Sequence, residues 1–248
     1  MSQKLENATK LYMEGIRDGN ARQAVTKYTG RRYTQHSTGV RNGIEGFVEF
    51  FEPFIERCPV RDISIIRSIV DGQYVFLQAF QDINKGDAKW VTTDLFDTDQ
   101  DNKVIEHWDV ISAFESGRDS DNNQIDGPTE IQEVTSTEEN KEIIRAFMCD
   151  VMILGQSDQW ETYINREAFI THCSKDTGAF DDYVGAYNQV FKIIGQGSFV
   201  VAYSRVLREN QEFARFDLFR LQNGRIEELW VNHELVPPQR EWVNGGKF

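Results

Sequence analysis

His107 and Asp109 stand two residues apart in the stretch NKVIEHWDVISAF, residues 102–114, which is otherwise typical of a β-strand. Side chains two residues apart on a strand lie on the same face of the sheet. Strands disfavour Asp, so this face is either solvated or lines a cavity where a proton is moved. Burial in an apolar pocket raises the pKa of a carboxyl group toward neutrality. We therefore predict Asp109 as a general base, with His107 as its partner or as a donor to a substrate carbonyl.

The elements that must position this pair occur twice in the chain. In the first half, helical periodicity covers 5–19 and 20–28, a short extended piece covers 32–36, and an amphipathic helix covers 43–57. Four β-rich runs follow, at 62–70, 73–82, 88–97 and 103–114, separated by turn residues. Strands that follow helices in this way predict an α+β class with a mostly antiparallel sheet.

The second half repeats this order. Its predicted helices cover 137–155, 157–164 and 180–194, the short strand covers 166–173, and three strands follow at 198–209, 212–222 and 225–235. Three pairs of landmarks fix the alignment of the copies, namely His36 with His172, Asp94 with Asp217, and Trp108 with Trp230. Between the copies, the Asp-, Asn- and Ser-rich residues 115–136 read as a linker, and Ser136 with Glu139 fits a capping box. The predicted domains are 1–114 and 137–248.

Composition excludes some classes of function. The chain has 248 residues and a formal net charge of −13, and such a surface repels phosphate backbones, so we expect no nucleic-acid partner. We find no apolar run of membrane-spanning length and no leader sequence, and the three cysteines lack metal-ligand spacing. A cytoplasmic protein with free thiols and no membrane partner is the expectation.

The motifs YTQH, NGIEGFVEFF, TTDLF and KVIEHWDV, in this order, resemble the SnoaL-like polyketide cyclase branch of the NTF2-like superfamily. The resemblance covers residues 5–114 and, more faintly, 137–236. It implies two tandem cone-shaped barrels, each a curved, mostly antiparallel sheet covered by about three helices. It further implies cofactor-free acid–base chemistry in the cone, and either an intramolecular pseudo-dimer or a homodimer.

The resemblance points to His36, His107 and Asp109 as polar, catalytic pocket groups. Asp94, Trp108 and Tyr33 are candidates for substrate binding. In the second copy, Leu229 and Val231 stand where the first has His107 and Asp109. That copy is therefore degenerate, and His172 and His233 are its candidate binding residues.

These residues predict an acid–base enzyme of the cyclase, aldol-condensation or isomerase type, acting on a small hydrophobic carbonyl compound in the first domain. One alternative is a non-catalytic module for small-ligand binding or dimerisation. A further alternative is a metal site formed by His36, His107 and Asp109, the ligand set of a two-His-one-carboxylate centre. This last reading requires the three side chains to converge on one point.

Overall fold

The computed structural model describes residues 2–115, 122–174 and 180–248, which divide into two compact units. Unit 1 begins with helix α1 (Gln3–Tyr12), which continues as a π-helical turn (Met13–Arg17), and with α2 (Ala21–Tyr28). The longest helix is α3 (Gly43–Arg57), whose 15 residues match the predicted amphipathic pattern. Within the described residues, no helix is long and apolar enough to span a membrane.

Unit 1 contains one five-stranded sheet. Its strands are β1 (Thr29–Gln35), β2 (Arg61–Asp71), β3 (Tyr74–Ile83), β4 (Ala88–Thr98) and β5 (Val104–Ala113). The spatial order is β1-β5-β4-β3-β2, with β1 parallel to β5 and the β2-β3-β4 pairs antiparallel. The core lies between the helices and one face of this sheet, where Leu11, Val25, Phe47 and Leu77 are buried.

Unit 2 has the same strand order. Its helices are α4 (Thr137–Phe147), extended by a π-helical turn (Met148–Ile153), and the single turn α5 (Trp160–Tyr163). Its strands are β6 (Ile170–His172), β7 (Tyr187–Gln196), β8 (Phe199–Arg208), β9 (Gln211–Gln222) and β10 (Arg225–Leu235). They follow the order β6-β10-β9-β8-β7, again with a parallel edge pair, β6 with β10. The prediction of one α+β unit written twice is confirmed.

The helix predicted at 180–194 is wrong. Residues 180–183 form a single 3₁₀ turn, and Tyr187–Gln196 is strand β7. Its pairing with β8 shifts between Tyr187 and Gln189 and again between Val190 and Lys192. Each such bulge adds one residue to the strand and breaks the alternation of its faces. The apolar residues of β7 consequently recur at a spacing close to that of a helix.

The unit boundaries differ from the predicted ones at two places. Unit 1 comprises residues 1–111 and 237–248, and unit 2 comprises residues 112–236. Residues 237–248 therefore pack with the first unit, whereas the sequence had placed them in the second domain. Part of the predicted linker, 116–121, lies outside the described residues, whereas 122–136 packs in unit 2. There Gln124 is buried and Asp126 accepts a hydrogen bond from the Trp230 indole through its backbone oxygen.

The expected capping box at Ser136 does not form. Helix α4 begins at Thr137, directly after a 3₁₀ turn (Val134–Ser136), and the Ser136 side chain makes no capping hydrogen bond. Thr137 instead accepts a hydrogen bond from the backbone N–H of Gly197 through its Oγ1, at 2.8 Å. The start of the helix was predicted, but the Thr137 hydroxyl binds the distant Gly197 as well as donating locally to the backbone oxygen of Val134 at 2.7 Å.

Candidate functional site

Unit 1 encloses a cavity of about 260 Å³ between its helices and its sheet. Helix α3 contributes four aromatic rings to the wall, because Phe47, Phe50, Phe51 and Phe54 recur at helical spacing on one side. The remaining apolar wall comes from Leu11, Ile16, Val40, Trp90, Phe96 and Ile111. Such a concave apolar space with a few polar groups is the usual form of a small-ligand site.

The polar groups of the wall come from neighbouring strands. Thr92 and Asp94 alternate on β4, and His107 and Asp109 alternate on β5, so that both pairs face the cavity. The remaining polar members of the lining are Tyr12, Tyr33, Gln35, Ser37 and Gln81. The prediction that His107 and Asp109 share one face is confirmed.

A chain of hydrogen bonds connects four of these groups. Gln35 Nε2 donates to Tyr33 Oη at 2.9 Å, which leaves Gln35 Oε1 to accept from His107 Nδ1, also at 2.9 Å. His107 Nε2 then faces Asp94 Oδ1 at 2.9 Å, and these two atoms share one proton. The imidazole is further held by stacking on Phe96, with ring centroids 4.6 Å apart. The chain fixes both the tautomer and the orientation of His107.

Asp94 is the carboxyl group with a raised pKa. Its side chain is 4% exposed, and burial raises its pKa above the ordinary 3.8, although the hydrogen bond and charge of His107 oppose the shift. Its second oxygen, Oδ2, has no hydrogen-bond partner among the described residues. A buried carboxyl oxygen without a partner is costly, so Oδ2 is the polar atom of the wall that is open to a ligand.

A second network lies beside Asp94. Gln81 Nε2 donates to Tyr12 Oη at 2.6 Å, and Tyr12 Oη lies 2.7 Å from Thr92 Oγ1. Burial and the charge of Asp94 raise the pKa of Tyr12 well above its ordinary value. Tyr12 is therefore a neutral phenol, and its hydrogen bonds are made within the wall.

Asp109 lies in the wall as expected, but its pKa is not raised. Lys247 Nζ contacts Asp109 Oδ1 at 2.8 Å and the Asp109 backbone oxygen at 2.9 Å. Burial would raise the pKa of Asp109, but the charges of Lys247 and His107 outweigh burial and lower it. Asp109 is thus an ionised partner of a lysine whose side chain is 2% exposed. A carboxylate held in this way is a weaker base than the one predicted.

His36 does not line the cavity. Gln35 faces the cavity, so strand alternation places its neighbour His36 on the other side of the sheet. There it stacks on Trp108, with centroids 4.8 Å apart and planes at 10°. His36 Nε2 lies 2.8 Å from Glu106 Oε1, and its Nδ1 lies 2.8 Å from the backbone oxygen of Gly246. The expectation that His36, His107 and Asp109 share one cavity is therefore wrong, and Trp108 likewise lies outside it.

Unit 2 repeats this arrangement with its own histidine, tryptophan and glutamate. His172 stacks on Trp230 at 4.6 Å with planes at 4°, and its Nε2 lies 3.0 Å from Glu228 Oε2. Each unit therefore uses the same histidine, tryptophan and glutamate to fasten its edge strand in parallel to the last strand. This repetition favours a structural role for His36 and His172.

The interior of unit 2 has different polar groups. Asp217, the counterpart of Asp94, accepts from Arg215 Nε at 2.8 Å and from Tyr187 Oη at 2.6 Å. His233 is half-buried beside Tyr183, and burial together with Arg215 and Arg208 lowers its pKa to about 4. His233 is therefore a neutral imidazole near pH 7.

The metal alternative fails on geometry. Among the residues that the structure describes, no three His, Cys, Asp or Glu side chains are placed to hold a metal ion together. His36 in particular is separated from His107 and Asp109 by the sheet.

The sequence matches no protein-family model and no curated protein. Similar solved structures include a proposed polyketide cyclase from Bacillus cereus ATCC 10987, with 16% identity and a TM-score of 0.40, covering 45% of this chain and 79% of that one. A proposed SnoaL-like polyketide cyclase from Jannaschia sp. CCS1 has 21% identity and a TM-score of 0.38, and the alignment covers 44% of this chain and 85% of that one. A proposed polyketide cyclase from Acidithiobacillus ferrooxidans has 19% identity and a TM-score of 0.40, and the alignment covers 45% of this chain and 90% of that one.

Each of these alignments covers less than half of this chain and most of the other. The two α+β units with the same strand order, predicted from the repeated elements, are confirmed by the structure itself.

Three residues of the site were missed in the sequence. Gln35 and Tyr12 carry a signal, because Gln35 precedes His36 within the YTQH motif and Tyr12 lies on the apolar side of α1. Lys247 carries none, since it lies 138 positions from Asp109 and no local pattern links the two.

Proposed function

We propose that unit 1 is an acid–base enzyme acting on a small hydrophobic carbonyl compound, with the Asp94–His107 pair as its proton-transferring group. The observation that carries this proposal is Asp94 Oδ2, a buried oxygen without a partner among the described residues, on a carboxyl group whose pKa is raised. A raised pKa brings a carboxyl group closer to the operating pH, which favours general base catalysis. This assignment replaces Asp109 as the predicted base.

The proposed reaction begins with removal of a proton from the carbon next to the carbonyl. Asp94 Oδ2 accepts this proton, and the electron pair of the broken C–H bond forms an enolate. His107, on the other oxygen of the carboxyl group, adjusts the charge of the pair through the proton that the two residues share. The enolate then either takes the proton back at another carbon or attacks the carbon of a second carbonyl group, whose oxygen receives the π electron pair and takes the proton from Asp94.

The enolate oxygen needs a hydrogen-bond donor. Tyr33 Oη accepts from Gln35, so its own O–H remains able to donate to a substrate oxygen. Burial and the charges of Asp109 and Asp94 raise the pKa of Tyr33, which keeps the hydroxyl protonated. Donors placed at a developing oxyanion are among the larger contributions to catalysis. The apolar rings of α3 exclude water from the intermediate.

The test is hydrogen–deuterium exchange at the α-carbon of small cyclic ketones, such as indanone and tetralone, followed by NMR in D₂O. The wild-type protein is expected to accelerate exchange, and Asp94→Asn to lower that rate by about 10²–10⁴-fold. Binding of the ketones, followed through the fluorescence of Trp90 in the cavity wall, is expected to change little.

The matched control is Asp97→Asn, a buried carboxyl group on the same strand that is not part of the cavity lining. It should exchange ketones at the wild-type rate. If Asp94→Asn accelerates ketone exchange as much as the wild-type protein does, Asp94 is not the base.

A non-catalytic ligand-binding module is the second candidate. The ion pair between Asp109 and Lys247 favours it, because that pair removes one of the two carboxylates from acid–base work. Saturable ketone binding by the wild-type protein without any exchange would select this function.

A further inference from the structure

Unit 2 contains a buried guanidinium group whose outer edge is unused. Arg215 is fully buried, and its Nε donates to Asp217 Oδ1. Its two terminal nitrogens, Nη1 and Nη2, have no hydrogen-bond partner among the described residues. An internal pair with Asp217 accounts for Nε alone and leaves the fork of Nη donors without acceptors.

A third polar atom without a partner lies next to this fork. Ser204 on β8 is paired directly with Arg215 on β9, so the two side chains share one face of the sheet. Ser204 is fully buried, and its Oγ has no hydrogen-bond partner in the described part of the chain. Three buried polar atoms without a partner in the described part of the chain thus lie on one face of two neighbouring strands.

The surroundings of this cluster are apolar and aromatic. The face of Arg215 lies 4.1 Å from the Tyr183 ring centroid and 5.6 Å from that of Tyr187. The core cluster around it includes Ala202 and Val206, which flank Ser204 on the same face of β8. These two rings pack against the guanidinium group and hold it in place.

We propose that the interior of unit 2 binds a small organic carboxylate through Arg215 Nη1 and Nη2 and the Ser204 hydroxyl. The planar fork of a guanidinium matches the two oxygens of a carboxylate, which it binds in a bidentate manner. The aromatic rings on either side suit an apolar or aromatic group on the ligand. This site is independent of the function proposed for unit 1.

The charge balance of the site is consistent with an anion. Asp217 already has both oxygens satisfied, by Arg215 and by Tyr187. Arg208 lies on the other side of this region, 5.0 Å from the Tyr183 ring, and remains 29% exposed. His233 is paired directly with Arg215 across β9 and β10. Burial, and after it the charges of Arg215 and Arg208, lower the pKa of His233 to about 4. A carboxylate on Arg215 would offset the part of this shift that comes from the charge of Arg215.

The same position explains how unit 2 departs from unit 1. Arg215 stands where unit 1 has Thr92, and Leu229 stands where unit 1 has His107. Unit 2 therefore lost the imidazole beside its buried aspartate and gained a guanidinium there. We infer that the second copy changed its ligand rather than lost its site.

The experiment titrates the full-length protein with benzoate and follows the ring protons of the four histidines by NMR. Saturable binding with a rise in the pKa of His233 is expected. Arg215→Gln should weaken benzoate binding by at least about tenfold, the usual effect of losing a charge-assisted bidentate contact. Ser204→Ala, which barely changes the side-chain volume, should weaken it by a smaller factor. Arg145→Gln, an exposed arginine of the same unit paired with Glu142, serves as the control and should bind normally.

Two further probes test the chemical class. Benzyl alcohol, which lacks the charge, should not bind at this site, and inorganic phosphate, which is tetrahedral, should bind more weakly than benzoate. The proposal is overturned if benzoate does not saturate, or if Ser204→Ala and Arg215→Gln bind it as the wild-type protein does. Equal binding of phosphate and benzoate would overturn the carboxylate assignment. If Arg215→Gln does not fold, the Ser204→Ala result and the His233 titration decide.

Discussion

Asp94 and Asp109 are two buried carboxyl groups in one cavity, and their partners push their pKa values apart. Asp94 faces a histidine that shares its proton, and burial raises its pKa. Asp109 faces the ammonium group of Lys247, which outweighs burial and lowers its pKa. Pairs of acids separated in this way are typical of sites where one group moves a proton and another stays charged.

The pair of Asp109 and Lys247 can be tested by a double-mutant cycle. Asp109→Asn leaves a buried ammonium group without its counter-ion, and we expect a loss of about 3 kcal/mol in the free energy of unfolding. Lys247→Met should also destabilise the protein, whereas the double variant should recover about 1 kcal/mol or more of the summed loss. Urea unfolding measures all four proteins. Strictly additive losses would show that the two groups do not interact.

The opposite pKa shifts of Asp109 and Asp94 predict opposite effects of pH on the stability of the fold. Because its pKa is lowered, Asp109 stabilises the fold above its ordinary value of 3.8, and this contribution is lost as the pH falls through the lowered pKa. Because its pKa is raised, Asp94 costs stability above the raised value, and this cost disappears as the pH falls toward 3.8. The free energy of unfolding should be measured between pH 3 and 8. Toward acid pH it should fall less in Asp109→Asn than in the wild-type protein, and more steeply in Asp94→Asn.

At the scale of single residues, the sequence predicted which side chains share a face of the strand but not which groups they contact. Strand alternation correctly placed His107 and Asp109 on one face. The pKa of Asp109 depends on Lys247, whose contact spans 138 positions, and no local pattern carries that information. The raised pKa of Asp94 likewise depends on burial by side chains from other elements.

At the scale of elements, helix α3 forms one wall of the cavity. Phe47 is 2% exposed and packs on Tyr33 and Phe51, with ring centroids 6.2 and 4.4 Å away. We expect Phe47→Ala to lower the free energy of unfolding by about 3–5 kcal/mol, because it removes a buried ring and leaves a void. Phe50→Ala on the same helix removes a ring that is 43% exposed and should cost much less. Equal losses in urea unfolding would contradict this account of the helix.

Elements were predictable from the sequence where their periodicity was undisturbed. The pattern of residues 43–57 gave α3 correctly, since its phenylalanines repeat at helical spacing on one side. Residues 187–196 misled the same reasoning, because the two register shifts of β7 displace its apolar residues from strict alternation. The error came from the bulges, which are set by pairing with β8 and are not visible in one strand.

At the scale of the whole molecule, unit 1 is assembled from two distant parts of the chain. Besides Lys247, the segment 237–248 supplies Asn244, whose Nδ2 donates to the backbone oxygens of Ser37 and Val40. The backbone N–H of Val243 donates to Thr38 O, and the oxygen of Gly246 contacts His36. The loop after β1, beside the cavity, is thus completed by residues that follow unit 2 in sequence.

We therefore predict that deleting residues 237–248 destabilises unit 1 and leaves unit 2 intact. The deletion removes these hydrogen bonds and leaves Asp109 buried without its cation, which should cost at least about 3 kcal/mol. Scanning calorimetry should then show an early transition for unit 1 and an unshifted one for unit 2. Full-length Lys247→Met separates the two causes, because it keeps the backbone contacts. If the deletion leaves both transitions in place, the segment does not hold unit 1 together, and the ion pair contributes only to the charge of the cavity.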